Sequence, residues 1–376
     1  MQPKAARNIS IEALRLIAVA GIAVFHTFQW TFQATCAGSV EYAPLSMFPY
    51  SSALGFINLL GCWANEVFFM ISGYFLIASA ARAWDGGATW KSQMQRTAQR
   101  LGKVILPTAF YCLVALAWST VVSPIPDVAL NTHYWYTLGL EFIWVYAATV
   151  FMAPWFGLAK SRLSQKSYTA TVIAVGILVF VVNGNLAVMS ATSGGEFSWL
   201  QKLMSAVTYV IAFSIGGLLR DVTDAMDSAR AGALGTRSLA AVLAFVTILE
   251  GEFSFTGNLT AMAALSYKST SLISFALAAA SLLFAATRRS ASGNPRTAGV
   301  IVTLSTATLG FYVMQSLTSS LWRPAFNTLL ANILVSQNSP AAICIVTGTV
   351  ISIVFAMALL IIDAARSLID RKLKRQ

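Results

Sequence analysis

One arginine and one histidine in the first apolar segment are the residues that most directly suggest chemistry. Arg15 and His26 are eleven positions apart. Eleven steps of about 100° return a helix to nearly the same face, roughly 16 Å further along its axis. Ionisable side chains are costly inside a bilayer, so their presence in an apolar segment indicates a function. An arginine suits anion binding, and an imidazole suits proton transfer.

Carboxylates are predicted near the same level of the membrane as the histidines. His26, His133, Glu66 and Glu141 all fall at or close to the outer ends of apolar segments. A carboxylate beside an imidazole fixes its tautomer and raises its basicity, as a general base requires. We therefore expect His26 and Glu66 to form a catalytic pair. An interfacial histidine that is bonded to a neighbour is the alternative interpretation.

A second group of cations precedes the third apolar segment. Arg96, Arg100 and Lys103 are spaced i, i+4 and i+7, so they share one helix face. Together with Arg15 they would suit the phosphates of a donor molecule at the cytoplasmic mouth. The ordinary positive charge of a cytoplasmic loop is the competing explanation. The sequence contains no zinc-protease, phosphate-loop, dinucleotide or C-x-x-C motif, and we expect no metal site.

The composition indicates a polytopic membrane protein. The 376 residues are 57% hydrophobic and only 10% charged, against about 25% charged in soluble domains. The net charge of +11 does not indicate a nucleic-acid partner, because the basic residues punctuate apolar runs as cytoplasmic loops do. Cys36 and Cys62 fall near one predicted outer boundary. A disulfide between them is one interpretation, and two apolar thiols are the simpler one.

About ten apolar segments, most of them near the ~20 residues that span a bilayer, predict an all-α helical bundle. The segments are 9–30, 55–81, 104–122, 135–158, 168–190, 203–219, 238–250, 269–287, 299–320 and 341–365. If the N-terminus is cytoplasmic, every basic residue except Lys202, Lys268 and Arg323 falls on the cytoplasmic side. We therefore expect both termini in the cytoplasm and a multi-pass protein of the bacterial cytoplasmic membrane.

The chain is predicted to be a single membrane domain, 1–376. Its outer loop covers 31–54, and its basic cytoplasmic loop covers 82–103. A basic cytoplasmic tail covers 366–376. The oligomeric state is not indicated by the sequence.

Taken together, these motifs resemble the acyltransferase-3 family of integral membrane acyltransferases, most clearly over residues 8–158. The positions that carry the resemblance are Arg15 with His26, Phe68 to Tyr74, Arg100-x-x-Lys103 before Pro107, His133-Tyr-Trp135, and Tyr312-x-x-Gln315. The last motif ends in His in many members. Lys103 replaces an arginine of the family pattern, which keeps the charge and loses the planar, two-pronged donor geometry.

The resemblance implies transfer of an acyl group, usually acetyl, from cytoplasmic acyl-CoA to a carbohydrate hydroxyl outside the membrane. The partners would then be acyl-CoA as co-substrate, the carbohydrate acceptor and the lipid bilayer, with no bound cofactor. Under this hypothesis His26 and Glu66 are catalytic. The acyl-CoA-binding residues are Arg15, Arg96, Arg100 and Lys103. The acceptor-binding or pore-lining residues are Ser72, Tyr74, His133, Trp135 and Glu141.

The sequence is compatible with two mechanisms and with two rival functions. His26 could take the proton of the attacking hydroxyl, or it could itself be acylated first and relay the group. A saccharide transporter or flippase would also place Arg15 and His26 along its path, without any need for acyl-CoA. A non-catalytic subunit of surface-polysaccharide export would tolerate loss of both residues.

Overall fold

Every regular element of the described chain is helical, as the sequence predicts. The computed structural model describes residues 7–132, 140–193, 198–266, 270–288, 294–336 and 340–373. The helices are α1 (Ile9–Cys36), α2 (Tyr50–Asp85), α3 (Trp90–Val121), α4 (Glu141–Arg162), α5 (Gln165–Ser193), α6 (Ser198–Ala225), α7 (Ser228–Phe255), α8 (Leu259–Leu265), α9 (Leu272–Thr287), α10 (Pro295–Ser305), α11 (Thr308–Leu317), α12 (Ser319–Ser336) and α13 (Pro340–Leu373).

Eight of these helices, α1 to α7 and α13, are long and apolar enough to cross a membrane. The pair α10–α11 is bent by 43° at its break and could form a ninth span, while α9 is a shorter apolar helix. Each of the ten predicted segments thus has a helical counterpart in the described chain. The short segment 238–250 is part of the 28-residue α7. Helix α12 corresponds to none of the predicted segments.

The helices extend beyond the apolar windows, so the connections are shorter than the predicted loops. In the segment 31–54, α1 continues to Cys36, a 3₁₀ helix covers Val40–Leu45, and α2 begins at Tyr50. The segment 82–103 is almost entirely helical, because α2 ends at Asp85 and α3 begins at Trp90. Lys, Arg, Gln and Met are good helix formers, so a polar, basic stretch can continue a helix. The described part of the tail continues α13.

Helix α2 lies at the centre of the bundle and positions its neighbours. Its apolar window is 72% buried. A Cβ atom on Gly216 of α6 would overlap the carbonyl oxygen of Met70, and one on Gly73 would overlap that of Phe213. Small residues of this kind let two membrane helices approach closely. The backbones of α2 and α6 are therefore in direct contact.

Helices α1 and α2 pack antiparallel, which fixes the relative depth of their polar side chains. Gly21 faces the ring of Trp63, and Gly61 faces the ring of Phe25. Helix α13 runs antiparallel to α1 on another side, where the Ser352 hydroxyl donates to Oγ1 of Thr27 over 2.8 Å. All four cysteines are thiols, so Cys36 and Cys62 are not bridged.

Candidate active site

The predicted functional face of α1 borders a cavity. Arg15, Val19, Ile22 and His26 follow one another at helical spacing and share this face. Val19 and Ile22 line a cavity of about 300 Å³. Arg15 therefore lies one turn toward the predicted cytoplasmic end from the cavity wall, and His26 lies one turn beyond the wall in the other direction.

This inner cavity is enclosed by α1, α2, α3, α4 and α11, and most of its wall is apolar. Among the described lining residues, Arg100 and Lys103 are the charged ones. Arg100 Nη2 donates to the hydroxyl of Ser79 over 3.3 Å. Five aromatic residues also line the cavity, and they are Phe68, Phe142, Tyr146, Phe311 and Tyr312. The cavity thus combines two cations with an apolar, aromatic lining.

A second cavity of about 280 Å³, the outer pocket, contains His26. Glu141, Tyr312 and Arg323 also line it, together with residues of the 125–128 turn and the start of α12. His26 Nδ1 and Arg323 Nη2 are 3.0 Å apart and form a hydrogen bond. The Gln29 side chain lies beside the imidazole. The outer pocket therefore combines an imidazole, a guanidinium and a carboxylate.

Tyr312 is a wall residue that the two cavities share. It lines the inner cavity, the outer pocket and a third, lateral pocket of about 280 Å³ between α1, α2, α4 and α6. Its ring packs against Phe142 with a centroid separation of 4.7 Å. Glu141 lines both the outer and the lateral pocket. Tyr312 therefore lies between the inner cavity and the outer pocket.

The predicted pairing of Glu66 with His26 is wrong. Oε2 of the fully buried Glu66 accepts a 3.0 Å hydrogen bond from the Ser274 hydroxyl of α9. Its other oxygen has no hydrogen-bond partner among the described residues. Gly61, rather than Glu66, lies level with Phe25 and His26 of α1. Glu66 is five residues further along α2, so its carboxylate lies about 7 Å deeper in the bundle than His26. It faces α9 from the centre of the bundle.

Two of the four predicted donor-binding cations lie outside the inner cavity. Arg15 forms an ion pair of 2.9 Å with Glu12, whose carboxylate also accepts from the hydroxyl of Ser305 on α10. Arg96 is exposed and lies about one turn before Arg100 on the same face. Arg15 pairs with a charge on its own helix end, which explains why it does not line the cavity. Arg96 is exposed because it lies near the start of α3.

The predicted acceptor residues separate into three groups. Ser72 shares a 2.9 Å hydrogen bond with the hydroxyl of Tyr146, so it supports the cavity wall from behind. Tyr74 is directed away from the cavities, because its hydroxyl bonds Thr223 of α6 and its ring faces Arg220. Glu141 lines two pockets, as described above. His133 and Trp135 lie outside the described residues.

Arg323 was not among the site residues predicted from the sequence, although its position in the charge distribution is unusual. Arg323 is one of the three basic residues on the predicted outer side, which makes it an exception to the charge distribution. Tyr312 appeared only through the family motif. No cluster of three or more His, Cys, Asp or Glu side chains suited to a metal ion occurs within the part of the chain described.

The fold defines a polytopic helical membrane protein with two neighbouring cavities inside the bundle. A family model described as an acyltransferase domain matches residues 8–359. The chain therefore belongs to the acyltransferase-3 family and is a membrane acyltransferase. The match confirms the resemblance seen in the motifs and extends it through α11 and into α13. No curated protein and no solved structure matches the chain.

Proposed function

We propose that this acyltransferase moves an acetyl group from cytoplasmic acetyl-CoA to a hydroxyl of a carbohydrate outside the membrane. One observation carries the proposal. Tyr312 is a common wall of the inner cavity, with Arg100 and Lys103, and of the outer pocket, with His26. A donor that enters from one side and an acceptor that enters from the other would meet there.

The donor side has the charge and shape that an acyl-CoA requires. Arg100 and Lys103 would bind the phosphates, since guanidinium and ammonium groups form charge-assisted hydrogen bonds with phosphate oxygens. The apolar interior would hold the pantetheine arm. A larger groove of about 1,000 Å³ between α3, α11 and α13 shares Lys103 and Leu309 with the inner cavity. It has room for the nucleotide part of the donor.

The acceptor side supplies the groups for hydroxyl activation. His26 would take the proton as the hydroxyl oxygen attacks the thioester carbonyl, which is general base catalysis by a positioned imidazole. Glu141 would accept hydrogen bonds from other hydroxyls of the sugar, because an ionised carboxylate offers only acceptors. Direct transfer needs both reactants near Tyr312 at once, and the two cavities that meet at this residue favour that mechanism over an acylated histidine.

The test uses purified protein in lipid nanodiscs with acetyl-CoA and extracted surface glycan. We expect glycan-stimulated release of CoA thiol from the wild type. His26→Ala should reduce the rate by about 10²–10⁴-fold, the usual contribution of a general base. Thr236→Ala, a change on the exposed surface of α7, is the control and should keep the wild-type rate. No thiol release together with no binding of acetyl-CoA would exclude the acetyl donor.

A further inference from the structure

Arg323 is a half-buried cation that has no counter-ion among the described residues. It forms no ion pair within 4 Å among the described residues. Its Nε atom is buried and lacks a hydrogen-bond partner in the same part of the chain. Glu141 and Asp127 also line the outer pocket, but both side chains are exposed. A guanidinium whose Nε is buried without a hydrogen-bond partner, and which has no carboxylate beside it among the described residues, is suited to bind negative charge in the adjoining cavity.

The hydrogen bond to His26 defines the state of the imidazole. A guanidinium has five N–H donors and no acceptor, so Nδ1 of His26 must offer its lone pair to Arg323 Nη2. The proton of the neutral ring is then on Nε2. The nitrogen that could act as a base is therefore the one that Arg323 occupies, and His26 cannot accept a proton until the guanidinium moves.

We propose that Arg323 is a catalytic residue that holds Nδ1 of His26 in the resting enzyme and moves to the carbonyl oxygen of the donor thioester during transfer. The proposal rests on the proposed function. The unpartnered Nε and the released Nη2 then face the oxygen on which negative charge develops. Hydrogen-bond donors at such an oxygen stabilise the developing negative charge and so increase the rate of acyl transfer.

The proposed transfer passes through a tetrahedral intermediate. The acceptor oxygen forms a bond to the thioester carbon, the carbonyl electron pair moves onto oxygen beside Arg323, and the hydroxyl proton moves to Nδ1 of His26. Collapse of the intermediate re-forms the carbonyl and breaks the carbon–sulfur bond. The thiolate leaves with the proton returned by His26, and the guanidinium rebinds the free Nδ1.

The first test reads the tautomer directly and needs no activity. The chain has only two histidines, so ¹⁵N-histidine labelling of a His133→Gln protein reports His26 alone. We expect the Nε2-protonated tautomer in this background and a mixture of tautomers after Arg323→Met, which removes every donor. An unchanged tautomer in Arg323→Met would overturn the proposed hold on Nδ1.

The second test separates catalysis from folding. Arg323→Met should lower kcat by about 10²–10³-fold, the typical loss on removal of one oxyanion donor, and leave the KM for acetyl-CoA unchanged. Added guanidinium should restore part of the rate in Arg323→Ala. Arg230→Met, at an exposed position on α7, is the matched control. A wild-type kcat in Arg323→Met would overturn the catalytic role. The same conclusion would follow if guanidinium did not restore the lost rate and the variant had a lower melting temperature.

These outcomes are distinct from failure of the proposed function. If the wild-type protein transfers no acetyl group, the proposed reaction is wrong, whereas the tautomer measurement still decides whether Arg323 holds His26. If the wild type transfers and Arg323→Met transfers equally well, the reaction stands and the assignment of Arg323 is wrong.

Discussion

At the scale of single residues, the surroundings of each cation distinguish those suited to ligand binding from those that stabilise the fold. Arg15 is neutralised by Glu12, and Arg366 by Asp363 and Asp370. Arg100 contacts only a neutral hydroxyl among the contacts described and lines the inner cavity. A cation without a carboxylate partner keeps its full attraction for an incoming phosphate.

Arg100 and Arg96 provide a matched pair for the donor site. Both are arginines on one face of α3, but only Arg100 is among the residues that line the inner cavity. We expect Arg100→Ala to raise the Kd for acetyl-CoA by about 10-fold or more, since hydrogen bonds to charged groups contribute ~1.5–3 kcal/mol. Arg96→Ala should change the Kd by about 2-fold at most, in line with a solvent-exposed charge. Isothermal titration in nanodiscs measures both.

An equal loss of affinity in the two variants would mean that the basic face of α3 acts as a general electrostatic surface. An unchanged affinity in Arg100→Ala would place the phosphates elsewhere, with the larger groove at Lys103 as the next site to test.

At the scale of elements, close helix packing sets the positions of the cavity walls. Helix α2 contributes Phe68 and Leu76 to the inner cavity, and its opposite side contacts the backbone of α6 at Gly73 and Gly216. The bend between α10 and α11 brings Tyr312 to the junction of the cavities. The next helix, α12, begins two residues after α11 ends and carries Arg323 back to His26.

Gly216→Ala tests the contact between α2 and α6. The added methyl group would overlap the Met70 carbonyl oxygen, and overpacking of this kind costs ~1–3 kcal/mol. We expect a lower melting temperature in detergent. Gly184→Ala on α5 is the control, because that glycine is exposed and a Cβ there meets nothing within 4 Å. Alanine favours a helix over glycine, so Gly184→Ala should be as stable as the wild type or slightly more so.

Equal melting temperatures for the two variants would show that α2 and α6 can separate without cost. The direct backbone contact would then not determine the position of the cavity wall.

At the scale of the whole molecule, the proposed reaction requires that the two cavities open to opposite sides of the membrane. The basic residues predict that the α2–α3 connection is cytoplasmic and that the connection between α1 and α2 is outside. Val40 in the latter connection is 89% exposed. Gln95, near the start of α3, is exposed at the other end of the bundle.

Single cysteines at these two positions test the orientation. In a background without the four native cysteines, we expect Val40→Cys to react with a membrane-impermeant maleimide in intact cells. Gln95→Cys should react only after permeabilisation. The reverse pattern would place the donor cations outside and would contradict a cytoplasmic acyl-CoA. Reaction of both residues in intact cells would contradict opposite placement of the two connections.

The sequence by itself determined the class of fold and the helix faces on which the candidate residues lie. Apolar segment length indicates membrane helices because a bilayer has a fixed thickness. The eleven-residue spacing of Arg15 and His26 defines one helix face because the helical repeat is fixed. The Arg100-x-x-Lys103 spacing puts both cations on one helix face for the same reason, and both line the inner cavity.

Only the tertiary structure decided which side chains meet between helices. The bond between His26 and Arg323 joins residues 297 positions apart, and the separation of Glu66 from His26 depends on the antiparallel register of α1 and α2. Neither follows from local periodicity, since a helix repeat fixes the face of a residue but not its depth against a neighbouring helix. The packing of glycines against the facing helices sets that depth, and the depth determines which side chains can meet.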